Sequence, residues 1–226
     1  TPTVIVQAAK KLPITCIGQI NYDALMGVGV LADSPITSPK QLEGKKVGAS
    51  VTSGEYPFLP LYAEKAGFDL DKVEIVQIDG KVRERSLMEK QVDAASAFAT
   101  STIPSLVPLG TDVRFMLFSS AGIQFYGQSL TTQPGRLEKD PQLCEAFVQG
   151  AMEAIRFTMT DFDEAVDIFL NANSEVAISS TGEEYARVGL GLTNLTNLVP
   201  EVKEHGLGYA DPAKVETMLD LVLKYA

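Results

Sequence analysis

At 226 residues, 45% of them hydrophobic, the chain is long enough for one large or two modest domains around a real apolar core. A net charge of −10, with 19 basic residues scattered along the chain, argues against nucleic acid as a partner, because phosphate binding asks for a basic surface. Charge, Gly or Pro interrupts every apolar run well short of the about 20 residues that span a bilayer, and Thr1 to Gln7 lack the basic start and apolar core of a signal peptide. Cys16 and Cys144 lie far apart in apolar stretches, a setting for two buried thiols rather than a disulfide. The single histidine, His205, stands in a Glu-His-Gly turn and reads as solvated. Without CxxC or HExxH spacing there is little material for a zinc site or a Ser-His-Asp triad.

Thr1 to Ala9 places Val4, Ile5 and Ala8 at helical spacing, with Pro2 suited to a first turn, and predicts a short helix. Pro13 then opens Ile14 to Ile20, a run of β-branched and small residues that reads as a buried strand. Asn21, Tyr22 and Asp23 follow at its carboxyl end, where ligands collect in open α/β sheets; the same triplet also suits an ordinary turn. Ala24 to Leu31 is a further strand, and Ser38-Pro39 starts a short helical turn before a tight turn at Gly44.

The stretch from Leu42 to Glu55 organises the rest. It reads as a turn, a short buried strand over Val47 to Val51, and a loop of small polar residues. Thr52, Ser53 and Gly54 offer hydroxyls and backbone N–H groups to a ligand; alternatively Ser53 caps the helix that follows. That helix, Tyr56 to Gly67, has an awkward start, because Pro60 inside it would cost about 3 kcal/mol. It therefore begins later than Ser53 or is kinked.

Val73 to Ile78 is a strand, Val82 to Lys90 a largely solvated charged helix with Val82, Leu87 and Met88 inward, and Asp93 to Phe98 a small-residue strand. The end of that strand, Phe98 to Thr102, points where the polar loop points; Phe98 either stacks on a flat ligand or fills core. Val113 to Ser119 is a strand, and Ile123 to Thr131 an extended segment whose mixed side chains, Gln124 and Tyr126 among them, suit the wall of a cleft. The period then changes to helices. Asp140-Pro141 caps a long one with Cys144, Phe147, Val148, Ala151, Met152 and Ile155 as its stripe. Others cover Phe162 to Asn171, Glu183 to Leu190, and Asp211-Pro212 to the end, the last with Val215, Met218, Leu219 and Val222 inward.

Five segments in order carry a family likeness: Gly29 to Gly48, the small-polar loop, Gly67 to Val76, Gln91 to Ala95, and the tail beginning Leu137-Glu-Lys-Asp-Pro-Gln-Leu and Phe162-Asp-Glu-Ala-Val. Together they resemble bacterial solute-binding proteins of ABC importers, in the group that binds thiamine precursors, sulfonates and nitrate, whose eukaryotic relatives are thiamine-pyrimidine synthases. The resemblance implies an α/β, two-lobed, periplasmic-binding-protein-like (type II) fold closing over a small molecule, without its N-terminal strand-helix-strand unit. Residues 1–30 with 126–226 would form the first lobe and 31–125 the second, with crossovers near 24–31 and 125–131. The implied site takes Asn21, Tyr22 and Asp23 from one lobe and Thr52, Ser53, Gly54, Glu55 and Phe98 from the other, with Gln124 and Tyr126 at the hinge.

On this resemblance the chain is a periplasmic or otherwise exported receptor, monomeric, with a small-molecule ligand, an inner-membrane permease as partner, and neither cofactor nor catalysis. Glu55 beside the loop disfavours an anionic ligand group unless Arg or Lys compensates, which favours a neutral or cationic heterocycle such as a pyrimidine. The rivals are a sulfonate or nitrate receptor and an enzyme of pyrimidine synthesis. The enzyme needs a placed lysine and histidine with a cysteine-rich motif, and His205 and two isolated cysteines do not supply them.

Overall fold

The computed structural model describes residues 2–225, so Thr1, the expected start of the first helix, and Ala226, the end of the last, lie outside the described residues. In chain order the elements are α1 (Pro2–Ala9), β1 (Thr15–Gln19), β2 (Met26–Leu31), β3 (Lys46–Ala49), α2 (Leu59–Ala66), β4 (Glu74–Gln77), α3 (Arg83–Met88), β5 (Ala94–Phe98), α4 (Ala99–Leu106), β6 (Val113–Leu117) and β7 (Ser129–Thr132). Helices complete the chain: α5 (Pro134–Lys139), α6 (Pro141–Thr160), α7 (Phe162–Ala172), α8 (Ser174–Ala177), α9 (Gly182–Leu195), α10 (Pro200–His205) and α11 (Pro212–Tyr225). The chain divides into two compact units, one of residues 2–24 and 125–224, the other of Leu25–Gln124 and Tyr225.

The second unit is built on a five-stranded mixed sheet in the order β4-β3-β5-β2-β6. Strands β4, β3 and β5 run parallel, while β2 runs antiparallel to both β5 and β6. Small residues make this possible. A Cβ on Gly27 would lie 2.8 Å from the Met116 carbonyl oxygen of the neighbouring strand, so only glycine lets β2 and β6 pair there. Under the sheet, Leu87, Val92, Ala95 and Leu106 form a closed apolar cluster. The expected tight turn at Gly44 is present, with φ at +77°, a conformation that side chains resist.

The helix after the polar loop begins later than Ser53, the first of the two expected outcomes: Tyr56–Phe58 forms a 3₁₀ turn, and Pro60 falls in the first turn of α2, where its missing N–H would have had no partner. Other sequence expectations are corrected here. Residues 99–102 are not a strand end but the opening of α4, hidden from a periodicity argument by Pro104 inside it. The inner face of α3 is Arg83, Ser86 and Leu87: Leu87 is inward as expected, while Val82 and Met88 are exposed and Arg83 turns inward to its carboxylate partners.

The first unit is helical apart from the antiparallel pair β1-β7. Beyond that pair the expected extended segment 123–128 has no strand of its own, yet its backbone still bonds to 20–24: Ile20 and Asn21 donate to the Gln128 carbonyl, Ala24 to Phe125, and Gly127 to Asn21. The Asp140 carboxylate accepts from the Leu143 N–H at 3.1 Å, so the cap of α6 is as expected. Its stripe is shallower than the period suggests, with Cys144 and Met152 buried but Phe147 60% exposed. Likewise Ala8 in α1 and Val215 and Leu219 in α11 are exposed, whereas Met218 and Val222 are buried. Cys16 is exposed rather than buried, since β1 turns it outward; Cys144 is buried. His205 ends α10 and stacks on Tyr209 with ring centroids 4.3 Å apart.

Candidate functional site

Strand polarity decides where the candidate residues of the second unit fall. Because β3 and β5 are parallel neighbours, with Val47 opposite Ala94, their carboxyl ends emerge side by side. Met26 pairs with Phe98 and Gly27 with Leu117, so the start of β2 and the end of β6 lie at the same end of the sheet. The loop carrying Thr52, Ser53 and Gly54, the Phe98 ring and the turn after β6 therefore leave the sheet on one side. Thr52 and Gln124 are exposed, and Ser53, Gly54 and Phe98 are half-buried.

The loop is held from beneath by charge. Glu55, 0% exposed, receives a short hydrogen bond from the Ser53 hydroxyl, so Ser53 does not cap the following helix. The other carboxylate oxygen of Glu55 accepts no hydrogen bond and faces the Arg83 guanidinium at 3.8 Å. Arg83, its side chain 7% exposed, also donates to Glu84 at 2.8 Å and to the Ser101 hydroxyl at 3.4 Å. Glu84 accepts in turn from Thr102 at 2.8 Å, which ties α3 to the start of α4. Arg83 is the compensating cation that the carboxylate beside the loop demanded. Sequence reasoning missed it, because an Arg-Glu-Arg run reads as a solvated helix face; the only signal was a carboxylate beside the loop that called for a nearby cation.

In the first unit Asn21, Tyr22 and Tyr126 are buried and Asp23 is half-buried. The Asn21 amide donates to Thr196 at 2.9 Å. The Tyr22 hydroxyl donates to the Tyr209 carbonyl at 2.9 Å, and its ring meets Tyr126 edge-on at 5.7 Å. The Tyr126 hydroxyl donates a short hydrogen bond to Glu201 and accepts from the Asp211 N–H at 2.8 Å. Above that ring sits the Lys214 ammonium, 4.0 Å from the centroid, donating to the Tyr22 carbonyl at 3.0 Å.

Burial, with the Glu201 charge adding to it, pushes the Tyr22 hydroxyl up to about 12, and burial with the Glu201 hydrogen bond raises Tyr126 as well. Burial lowers the Lys214 pKa against the opposing pull of Glu201, Asp23 and Asp211. Among the described residues no group of three or more His, Cys, Asp or Glu side chains is arranged to hold a metal, and no helix is long and apolar enough to cross a membrane.

Comparison with known proteins gives this geometry a family. The chain is 24% identical over 176 residues to a formylaminopyrimidine-binding protein of Halalkalibacterium halodurans, covering 77% of this chain and 53% of that protein. It is 21% identical over 209 residues to the riboflavin-binding protein RibY of Chloroflexus aurantiacus, covering 92% and 59%. The chain thus spans little more than half the length of these relatives. In fold it matches the crystal structure of the periplasmic aliphatic sulphonate-binding protein SsuA of Escherichia coli with a TM-score of 0.73 at 15% identity, over 99% of this chain and 72% of that one. The mixed α/β architecture is therefore that of periplasmic binding proteins. With the family pattern described as NMT1/THI5 like matched across residues 1–165, the chain belongs to the NMT1/THI5-like family.

Proposed function

We propose that the chain is the solute-binding part of an ABC importer and that its ligand is a small nitrogen heterocycle of the pyrimidine kind. The observation that carries the reading is the gathering of Thr52, Ser53, Gly54 and Phe98 at one end of the five-stranded sheet, in a chain of this family. The exposed Thr52 side chain and the half-buried Ser53–Gly54 backbone there suit hydrogen bonds to ring nitrogens, and the Phe98 face suits stacking. In the first unit Asp23 is the half-buried polar candidate, next in sequence to the buried Asn21 and Tyr22. Gln124 supplies a further amide.

An anionic ligand is the poorer fit. The Arg83 guanidinium is already engaged by Glu55 and Glu84 and has little left for a sulfonate or nitrate. The name of the Halalkalibacterium halodurans relative supports the same class. The reading makes the protein an exported, monomeric receptor whose partner is a membrane permease, with no covalent chemistry.

Calorimetric titration with formylaminopyrimidine, riboflavin and an aliphatic sulfonate tests this. Saturable binding of the pyrimidine, weakened in Thr52→Ala/Ser53→Ala, is expected. Binding of the sulfonate alone would overturn the ligand class. Binding of none of the three, with no small molecule released from the native protein on denaturation, would overturn the receptor reading.

A further inference from the structure

The segment Asn21–Asp23 and the stretch 125–127 are the places at which the chain leaves and re-enters the first unit. Neither has regular structure, although backbone hydrogen bonds from Ala24 to Phe125 and from Gly127 to Asn21 join them to each other. A second set of ties comes from the far end of the chain. Glu201 receives the Tyr126 hydroxyl and the Asp211 N–H, the latter at 3.1 Å, so one carboxylate closes the ring side chain and the tail backbone onto each other. Lys214 spends a donor on the Tyr22 carbonyl, rests on the Tyr126 ring and stands 3.9 Å from Glu201. Its side chain is 21% exposed, and Asp23 contributes to the field around it.

We infer that the C-terminal segment around Glu201 and Lys214 is a positioning device for the ligand segment Asn21–Asp23, with these two side chains as its positioning residues. The inference rests on the receptor reading for what Asp23 is positioned to do, but the positioning itself is a property of the first unit. Each residue adds a side-chain tie between two groups that are distant in sequence, on top of the direct Asp211-to-Tyr126 hydrogen bond and the backbone bonds between 20–24 and 125–128. Lys214 thereby holds the Tyr22 carbonyl, which belongs to the peptide unit joining Tyr22 to Asp23.

Amide hydrogen exchange on the whole chain, paired with titration by formylaminopyrimidine, tests the inference. In Lys214→Met and Glu201→Ala, exchange at the Asn21, Ala24 and Gly127 amides is expected to rise about tenfold, while the amides of β3 keep their protection. The same variants should bind formylaminopyrimidine about tenfold more weakly. Lys214→Arg keeps a cationic donor and Glu201→Gln keeps an oxygen acceptor, so both should recover most of the protection. Unchanged exchange at the three amides in the Met and Ala variants overturns the inference, as does an equal rise throughout the chain or a failure of the conservative pair to recover. If the wild-type protein does not bind formylaminopyrimidine, that failure belongs to the function proposed above, and the exchange pattern still decides the positioning role.

Discussion

The polar loop of the second unit is held by buried charge and the Asn21–Asp23 segment of the first by half-buried charge, and the holding groups come from different distances along the chain. Beneath the loop, Arg83 sits on a helix packed against the same sheet that presents the loop, and one cation answers two carboxylates. Beneath Asn21–Asp23 the support comes from residues 75 to 192 positions away from the side chains and carbonyls they hold, and aromatic rings share the load. The difference teaches that the first network is an all-or-none charge balance, whereas the second is a set of smaller interactions that fail one at a time.

Removing the cation tests the stronger half of that comparison. Arg83→Met leaves the buried Glu55 and the half-buried Glu84 without their partner and should cost about 3–5 kcal/mol in denaturant unfolding. The double variant Arg83→Met/Glu55→Gln should recover part of the loss, since one of the stranded charges is gone. A cost below about 1 kcal/mol would show that the pair is screened like a surface one, and the contrast between the two networks would disappear.

Alkaline pH acts on the other network. Tyr22, pushed up to about 12, and Tyr126, also raised, stay protonated in the folded state while their unfolded counterparts lose protons near pH 10. Their contribution to stability is complete below pH 10 and is lost as pH climbs through the folded values. Tyr62 in the second unit, raised by burial to about 12, adds to the same fall. Lys214 works the other way: its lowered pKa means that the unfolded state binds more protons, so its share of stability rises as pH approaches 10.5. Thermal unfolding should therefore show a midpoint that drops between pH 10 and 12, and Tyr126→Phe should make that drop shallower.

At neutral pH the Tyr126→Phe change removes one donor to Glu201 and one acceptor for the Asp211 N–H, at an expected cost of about 1–3 kcal/mol by denaturant unfolding. That is less than the loss of Arg83, as the comparison requires. Smallest is Asp140→Ala, which deletes the cap of α6 for about 1 kcal/mol without touching either network. It calibrates what an ordinary local interaction is worth in this protein.

Much of the architecture was legible because it follows from local rules. The turn at Gly44, the small-residue strand ending at Phe98 and the Asp140-Pro141 start of α6 follow from backbone freedom, alternation and capping. Helix α4 was hidden by Pro104, and the buried faces of α3 and α6 were misjudged because period alone gives a stripe without saying how deeply it packs. Among the candidate residues, Thr52, Ser53 and Gly54 could be named from strand and loop chemistry. That Glu55 is wholly buried and that Tyr22 and Tyr126 face each other could not, since neither fact has a local signature.

The chain by itself determined the strands, the capped helices and the small polar loop, because each depends on neighbours within a few positions. Only the tertiary structure decided that Arg83 answers Glu55 and that Glu201 and Lys214 close on the two tyrosines. The physical reason is that a buried charge is tolerated only where packing delivers its partner, and that partner is chosen by the fold rather than by sequence distance.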